Sequence, residues 1–315
     1  MRQANIGRRA LLRGGAAAAA SLTLPLGRVF AQAAAEIPAI PLPPPIGSAE
    51  RMQRLDRARQ LMRQNGIGSM IVESGPSLDY LTGVQWWRSE RLTGVVIPAQ
   101  GEPIVVTPFF EAPSVKESLK VPSEIRTWQE DEEPLKLVAD FLKERGVASE
   151  PVGFEETNRF FIEDRLRKQL PAVRVVSANP VVRAQRLIKS PAELALMQAA
   201  NNIMLASLRY AGERTREGMT PADIDAMIAA AQKKLGGDYD GGLILLGEAS
   251  AYPHGSHKLQ AVRRGEVVLM DCTCAVHSYQ ADITRTFVFN ADPTPEQRKV
   301  WDLVHRGQQI ALAAA

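Results

Sequence analysis

Val267-Val268-Leu269-Met270-Asp271-Cys272-Thr273-Cys274 and, after a short gap, Asp282-Ile283-Thr284-Arg285-Thr286-Phe287-Val288-Phe289 read as two strands. Each carries one carboxylate, and the two acids lie eleven residues apart. Paired as a hairpin with Asp271 opposite Asp282, the strands also align 273 with 280 and 275 with 278, around a turn at Val276-His277. In that register both carboxylates stand on one face, roughly 5 Å apart at Cβ. Like charges so placed repel, and a divalent cation between them removes the repulsion. Oxygen donors suit Mn, Mg, Co, Zn or Fe. From the residues alone, other readings stay open: Asp271 sits in a turn, or one acid pairs with Arg285. Val276-His277 lacks the Gly or Asn that two-residue turns prefer, so a bulge or longer loop also fits.

Upstream, a start signal recurs. Ser190-Pro191-Ala192-Glu193, Thr220-Pro221-Ala222-Asp223 and Thr294-Pro295-Glu296-Gln297 each give a hydroxyl N-cap and a proline at the first helical position. An acid or amide follows where it reaches back to the free backbone donors. Helices are therefore expected from about 191, 221 and 295. With a strand at Leu243–Gly247, residues 182–315 form an α+β domain. The last residues, 309–315, continue a helical pattern without a C-cap, and the expectation is that more of the domain follows.

Further upstream, residues 50–181 alternate strands and helices at short intervals, which indicates a three-layer α/β domain. Leu55, Ala58, Leu61 and Met62 fall at helical spacing. Met70–Val72, Thr93–Ile97 and Ile104–Thr107 read as strands, as do shorter runs near 124–127, 152–154 and 173–176. Helical patterns run over about 111–119, 134–145 and 158–169. Residues 34–49 are Ala- and Pro-rich, a stiff linker.

The first 33 residues read as an export signal. Arg8-Arg9 form a twin-arginine pattern, Ala16–Leu26 is a soft apolar stretch, and Ala31-Gln32-Ala33 is a small-x-small cleavage pattern. The apolar stretch falls short of the roughly 20 residues that span a bilayer. A periplasmic or otherwise exported location is expected, with no membrane attachment after cleavage. The formal charge of +3 belongs to this leader, whose five arginines have no acidic counterpart; the rest holds 33 Lys+Arg against 35 Asp+Glu. A nucleic-acid partner is thereby discarded. Cys272 and Cys274, two apart on one strand, do not suit a disulfide and read as buried small residues.

Several of these stretches resemble one family. Pro253-His254-Gly255, Asp271 and Asp282-Ile283-Thr284-Arg285-Thr286-Phe287 match the signature of the creatinase/prolidase/aminopeptidase P metallopeptidases, the pita-bread family. Arg186–Leu194 is similar to the segment that opens their catalytic domain, and Tyr80-Leu81-Thr82-Gly83 to a piece of their N-terminal domain. The resemblance implies an RNase-H-like N-terminal domain before a pita-bread domain that is incomplete here. It implies two divalent metal ions (Mn, Co, Zn or Fe), Asp271 chelating one and Asp282 bridging both, to activate a hydroxide toward Xaa-Pro peptides. His254 would contact the substrate near the scissile bond. From the residues alone, a solvated loop histidine fits as well.

The resemblance also implies a homodimer, in which a neighbouring N-terminal domain helps wall the site. Trp86 and Trp87 are candidate substrate contacts on that account, against the plainer reading of a pair anchoring a loop. His257, His277 and His305 match no motif position. Two features depart from the family: Thr273 stands where a small residue is usual, and the expected further histidine and two glutamates have no counterpart. The open alternatives are a creatinase-like or lyase-like enzyme acting on a small molecule, and a non-catalytic homologue.

Overall fold

Strict alternation along the early strands sorts their side chains to two faces of one sheet, and helices cover both. The computed structural model describes residues 37–315, and the leader read at 1–33 lies outside them. Residues 37–47 hold no helix or strand, in keeping with a Pro-rich linker, although Ile46 is buried. Among the described residues no helix is long and apolar enough to cross a membrane.

The first compact unit comprises Ile40–Ile203 together with Thr273–Asp282. Its elements run α1 (Ser48–Gln64), β1 (Ser69–Glu73), α2 (Pro76–Thr82), β2 (Gly94–Pro98), β3 (Ile104–Pro108) and α3 (Ala112–Ser118). They continue with β4 (Glu124–Trp128), α4 (Pro134–Glu144), β5 (Val152–Phe154), α5 (Phe160–Gln169), β6 (Val175–Ser177) and α6 (Asn179–Leu187). The strands form one sheet in the order β4-β3-β2-β1-β5-β6. β2 is antiparallel to both β1 and β3, and the other pairs are parallel.

Met70, Val72, Val95, Ile97 and Val105 face one core, shared with Leu55, Met62, Leu81, Val115 and Val181 from the helices α1, α2, α3 and α6. Ile71, Val96, Ile104 and Val106 face the other, shared with Leu135, Phe141 and Leu142 of α4 and with Ile162 and Leu166 of α5. Each such aliphatic or aromatic side chain stabilises the fold by about 1.5–3 kcal/mol when fully buried. This is the expected three-layer unit. It extends past residue 181, because Val181 and Val182 of α6 belong to the first core.

The second unit holds Met204–Cys272 and Ile283–Ala315. α7 (Pro191–Arg214), which begins in the first unit, leads to α8 (Pro221–Leu235), β7 (Gly242–Leu246), a 3-10 turn at Gly247–Ala251, β8 (Val267–Val276), β9 (Tyr279–Val288) and α9 (Pro295–Ala314), the tip between β8 and β9 belonging to the first unit. β7, β8 and β9 form one sheet in that order. The three start signals hold. Thr220 with Asp223 and Thr294 with Gln297 form reciprocal capping boxes. The Ser190 amide donates to Glu193 Oε2 at 2.7 Å, and the Glu193 amide donates to Ser190 Oγ at 3.2 Å. α9 buries no residue, and on it His305 stacks on Trp301 with ring centres 4.9 Å apart.

Candidate metal centre

The hairpin formed by β8 and β9 is where the acids meet, and its turn decides how. His277 and Ser278 both take positive φ, 48° and 71°, between strands that end at Val276 and resume at Tyr279. Two residues at positive φ make the mirror-image turn whose twist suits a two-residue hairpin. Val276 therefore pairs with Tyr279, which sets Thr273 opposite Asp282 and Asp271 opposite Thr284. The side chains agree: Thr284 Oγ1 donates to Asp271 Oδ1 at 2.6 Å.

The register expected from sequence, with Asp271 opposite Asp282 and a turn at Val276-His277, is corrected by two residues. A slide of two keeps each side chain on its face, so both acids still share one surface of the sheet. They stand as diagonal neighbours, whose Cα spacing of roughly 7–8 Å exceeds that of a direct pair. The opposite face of β8, with Val268, Met270, Cys272 and Cys274, is buried, and neither cysteine is in a disulfide. The Asp271 carboxyl is half-buried and that of Asp282 is exposed. Arg285 neutralises neither: its Nη1 donates to the Thr284 carbonyl at 2.8 Å, and the described residues show no ion pair at either acid.

β7 adds a third strand to this surface, with Leu243 directly across from Asp271. Gly255, at φ 93°, lies so close to Leu243 that a side-chain carbon there would come within 3.3 Å of Leu243 Cδ1. The Pro253-His254-Gly255 loop is thus laid against the strand beside Asp271, and the His254 imidazole is exposed to solvent. A cleft of about 460 Å³ opens here, lined by Leu243, Leu245, Gly255, Ser256, Asp225 and Gln260 among others. Behind Asp225, the Tyr239 hydroxyl, raised well above its ordinary range by burial and then by its bond to Asp225, stays a donor to that carboxylate.

The two tryptophans separate. Trp86 is partly buried against the core formed by α1 and α2, whereas Trp87 is 86% exposed. His257 and His277 are exposed.

Hard oxygen donors on a common face fit one side of a divalent cation. Two carboxylates do not fill the four to six positions such ions need, and the described residues hold no cluster of three or more His, Cys, Asp or Glu that would. Thr284 was not singled out in the sequence. The one signal for it was a turn one residue later, which alternation alone does not choose.

A three-layer α/β unit ahead of an α+β unit with two acids on a hairpin is the layout of a two-domain metallopeptidase. Residues 54–188 match the creatinase/prolidase N-terminal domain, and residues 195–315 match metallopeptidase family M24. Residues 54–315 thus carry, in order, both domains of that metallopeptidase family. A putative dipeptidase of Bacillus subtilis, YkvY, is 27% identical over 84% of this chain and 73% of its own length. An Xaa-Pro dipeptidase of Pyrococcus horikoshii is 26% identical over 84% of this chain and 71% of its own. In structure, the dipeptidase PepE of Mycobacterium ulcerans superposes with a TM-score of 0.69 at 26% identity, covering 80% of this chain and 68% of that one.

Proposed function

We propose that the protein is a metal-dependent dipeptidase or aminopeptidase that hydrolyses Xaa-Pro peptides. The observation that carries this reading is the shared face of Asp271 and Asp282, with Thr284 holding one oxygen of Asp271. Asp271 and Asp282 would hold the metal, taken to be a pair of divalent ions, and the remaining ligands lie beyond the donors described. The bound metal supplies a nucleophile near neutral pH and stabilises charge on the carbonyl oxygen. Thr284 fixes Asp271 Oδ1, which leaves Oδ2 to serve the metal. His254, on the loop against Leu243, would donate a hydrogen bond to the substrate beside the bond being cut. Trp87, with its ring in solvent, offers a face on which a proline ring stacks; Trp86 is committed to packing. The similarity to dipeptidases supports a peptide substrate.

The leader's pattern supports export by the twin-arginine route and work outside the cytoplasm, and the family resemblance supports a homodimer. The test is hydrolysis of an Xaa-Pro dipeptide by the protein expressed from its full reading frame, with and without a chelator. Turnover that chelation removes and Mn2+ restores is the expected result. Turnover indifferent to chelation, or absent with every divalent metal, contradicts the reading and favours a small-molecule enzyme on the same fold.

A further inference from the structure

The hairpin that carries both acids adopts a turn its own residues disfavour. His277 and Ser278 occupy the left-handed region with side chains attached, where glycine or asparagine is usual. Hydrophobic alternation does not hold the register either. Sliding β9 by two residues would bring Asp282 directly across from Asp271 and leave each side chain on its present face.

Side chains at the tip do choose. The Tyr279 hydroxyl donates to Glu193 Oε1 at 2.9 Å and accepts from Arg54 Nη2 at 3.1 Å. Beside it, Gln85 Nε2 donates to Ser278 Oγ at 2.9 Å. The two groups gripping Tyr279 are themselves fixed. Arg54, 5% exposed, also donates to Glu50 Oε1 at 2.7 Å and to the Tyr80 carbonyl at 3.2 Å, and it lies 4.0 Å over the Tyr80 ring. Glu193, 4% exposed, uses its other oxygen to cap Ser190 at the start of α7. Burial pushes the Tyr279 hydroxyl up to about 12, so it remains a donor at any ordinary pH.

A slide of two residues would carry Tyr279 roughly 6.5 Å along its strand. Both bonds would break, and two buried charged groups would lose a partner. Asp282 lies three residues beyond Tyr279, so a grip on one fixes the other.

We propose that Tyr279, held between Arg54 and Glu193, is a positioning residue that sets the hairpin register and thereby the spacing of Asp271 and Asp282. Its consequence for metal binding rests on the peptidase reading; the clasp itself does not.

The experiment compares the full protein with its Tyr279→Phe variant by amide hydrogen exchange and by Co2+ titration followed in the visible spectrum. Exchange over residues 267–288 is expected to rise by about tenfold or more while α4 keeps its protection. Co2+ affinity should fall about tenfold, with altered absorption bands, as for other residues that orient a metal ligand. Adding His277→Asn and Ser278→Gly, which give the turn its preferred residues, should restore both. Unchanged exchange in the hairpin, or a rise spread evenly over the protein, overturns the proposal. If Asp282→Asn binds Co2+ as the parent does, the metal reading fails, and hairpin exchange still decides the clasp in either direction. Should Tyr279→Phe not fold, Glu193→Gln, which keeps an acceptor but loses its charge, is expected to show the same local exchange.

Discussion

Among the described residues, two antiparallel hairpins take their registers from different sources. β2 and β3 are buried at every position, and their connection turns at Gly101, φ 89°. Burial on both faces and a glycine at the turn leave that pair one arrangement. β8 is buried mainly on one face, β9 buries only Ala281, and the two turn through His277 and Ser278, neither a glycine. Their register depends on side chains far along the chain. A hairpin that serves the core carries its own instructions; a hairpin that presents carboxylates to solvent has given up half of them.

Substitutions separate the two hairpins. The largest effect is expected at the acids: Asp271→Asn or Asp282→Asn should lower Xaa-Pro hydrolysis by about 10³-fold, since a metal supplies several kcal/mol of transition-state stabilisation. Steady-state kinetics of the full protein would show this, with thermal stability unchanged or raised because like charge is removed. In the core of the first unit, Phe141→Ala should cost about 3–5 kcal/mol in urea unfolding and leave the Co2+ spectrum of the folded protein alone, Phe141 being fully buried. A spectrum that moved with it would mean that the two regions are coupled.

The turns should answer with opposite signs. Gly101→Ala forces a side chain into left-handed backbone and should destabilise by about 1 kcal/mol. Ser278→Gly relieves such a conformation and should be neutral to stabilising by a similar amount. Smallest is a pH effect. The Tyr279 hydroxyl is raised by burial first, so its contribution to stability is complete below pH 10.0 and is lost as pH climbs toward about 12. Tyr279→Phe should make the decline of stability over that window shallower, measured by urea unfolding at a series of pH values.

Much of this was legible in the chain. The capped helices after Ser190, Thr220 and Thr294 followed from local chemistry, because a cap is made by residues three apart. The strands of the first sheet followed from apolar runs bounded by turns. α6 escapes the sequence reading, because the domain boundary expected at 181 falls inside it, where Pro180 opens a helix. α2 was passed over because it is a single short helix behind Gly75. At the site, the residue types and their common face were readable, since alternation fixes the face. The register was not, since alternation is blind to a slide of two and the deciding contact joins Arg54 to Tyr279 across 225 positions.

Asp271 and Asp282 are expected to share a cation across the diagonal of the hairpin. Anomalous diffraction from crystals of the full protein soaked in Mn2+ addresses it directly. A peak within bonding distance of both carboxylates, with Thr284 still donating to Asp271, is the predicted result. Density that touches neither acid, or carboxylates turned to opposite faces of the sheet, would contradict it.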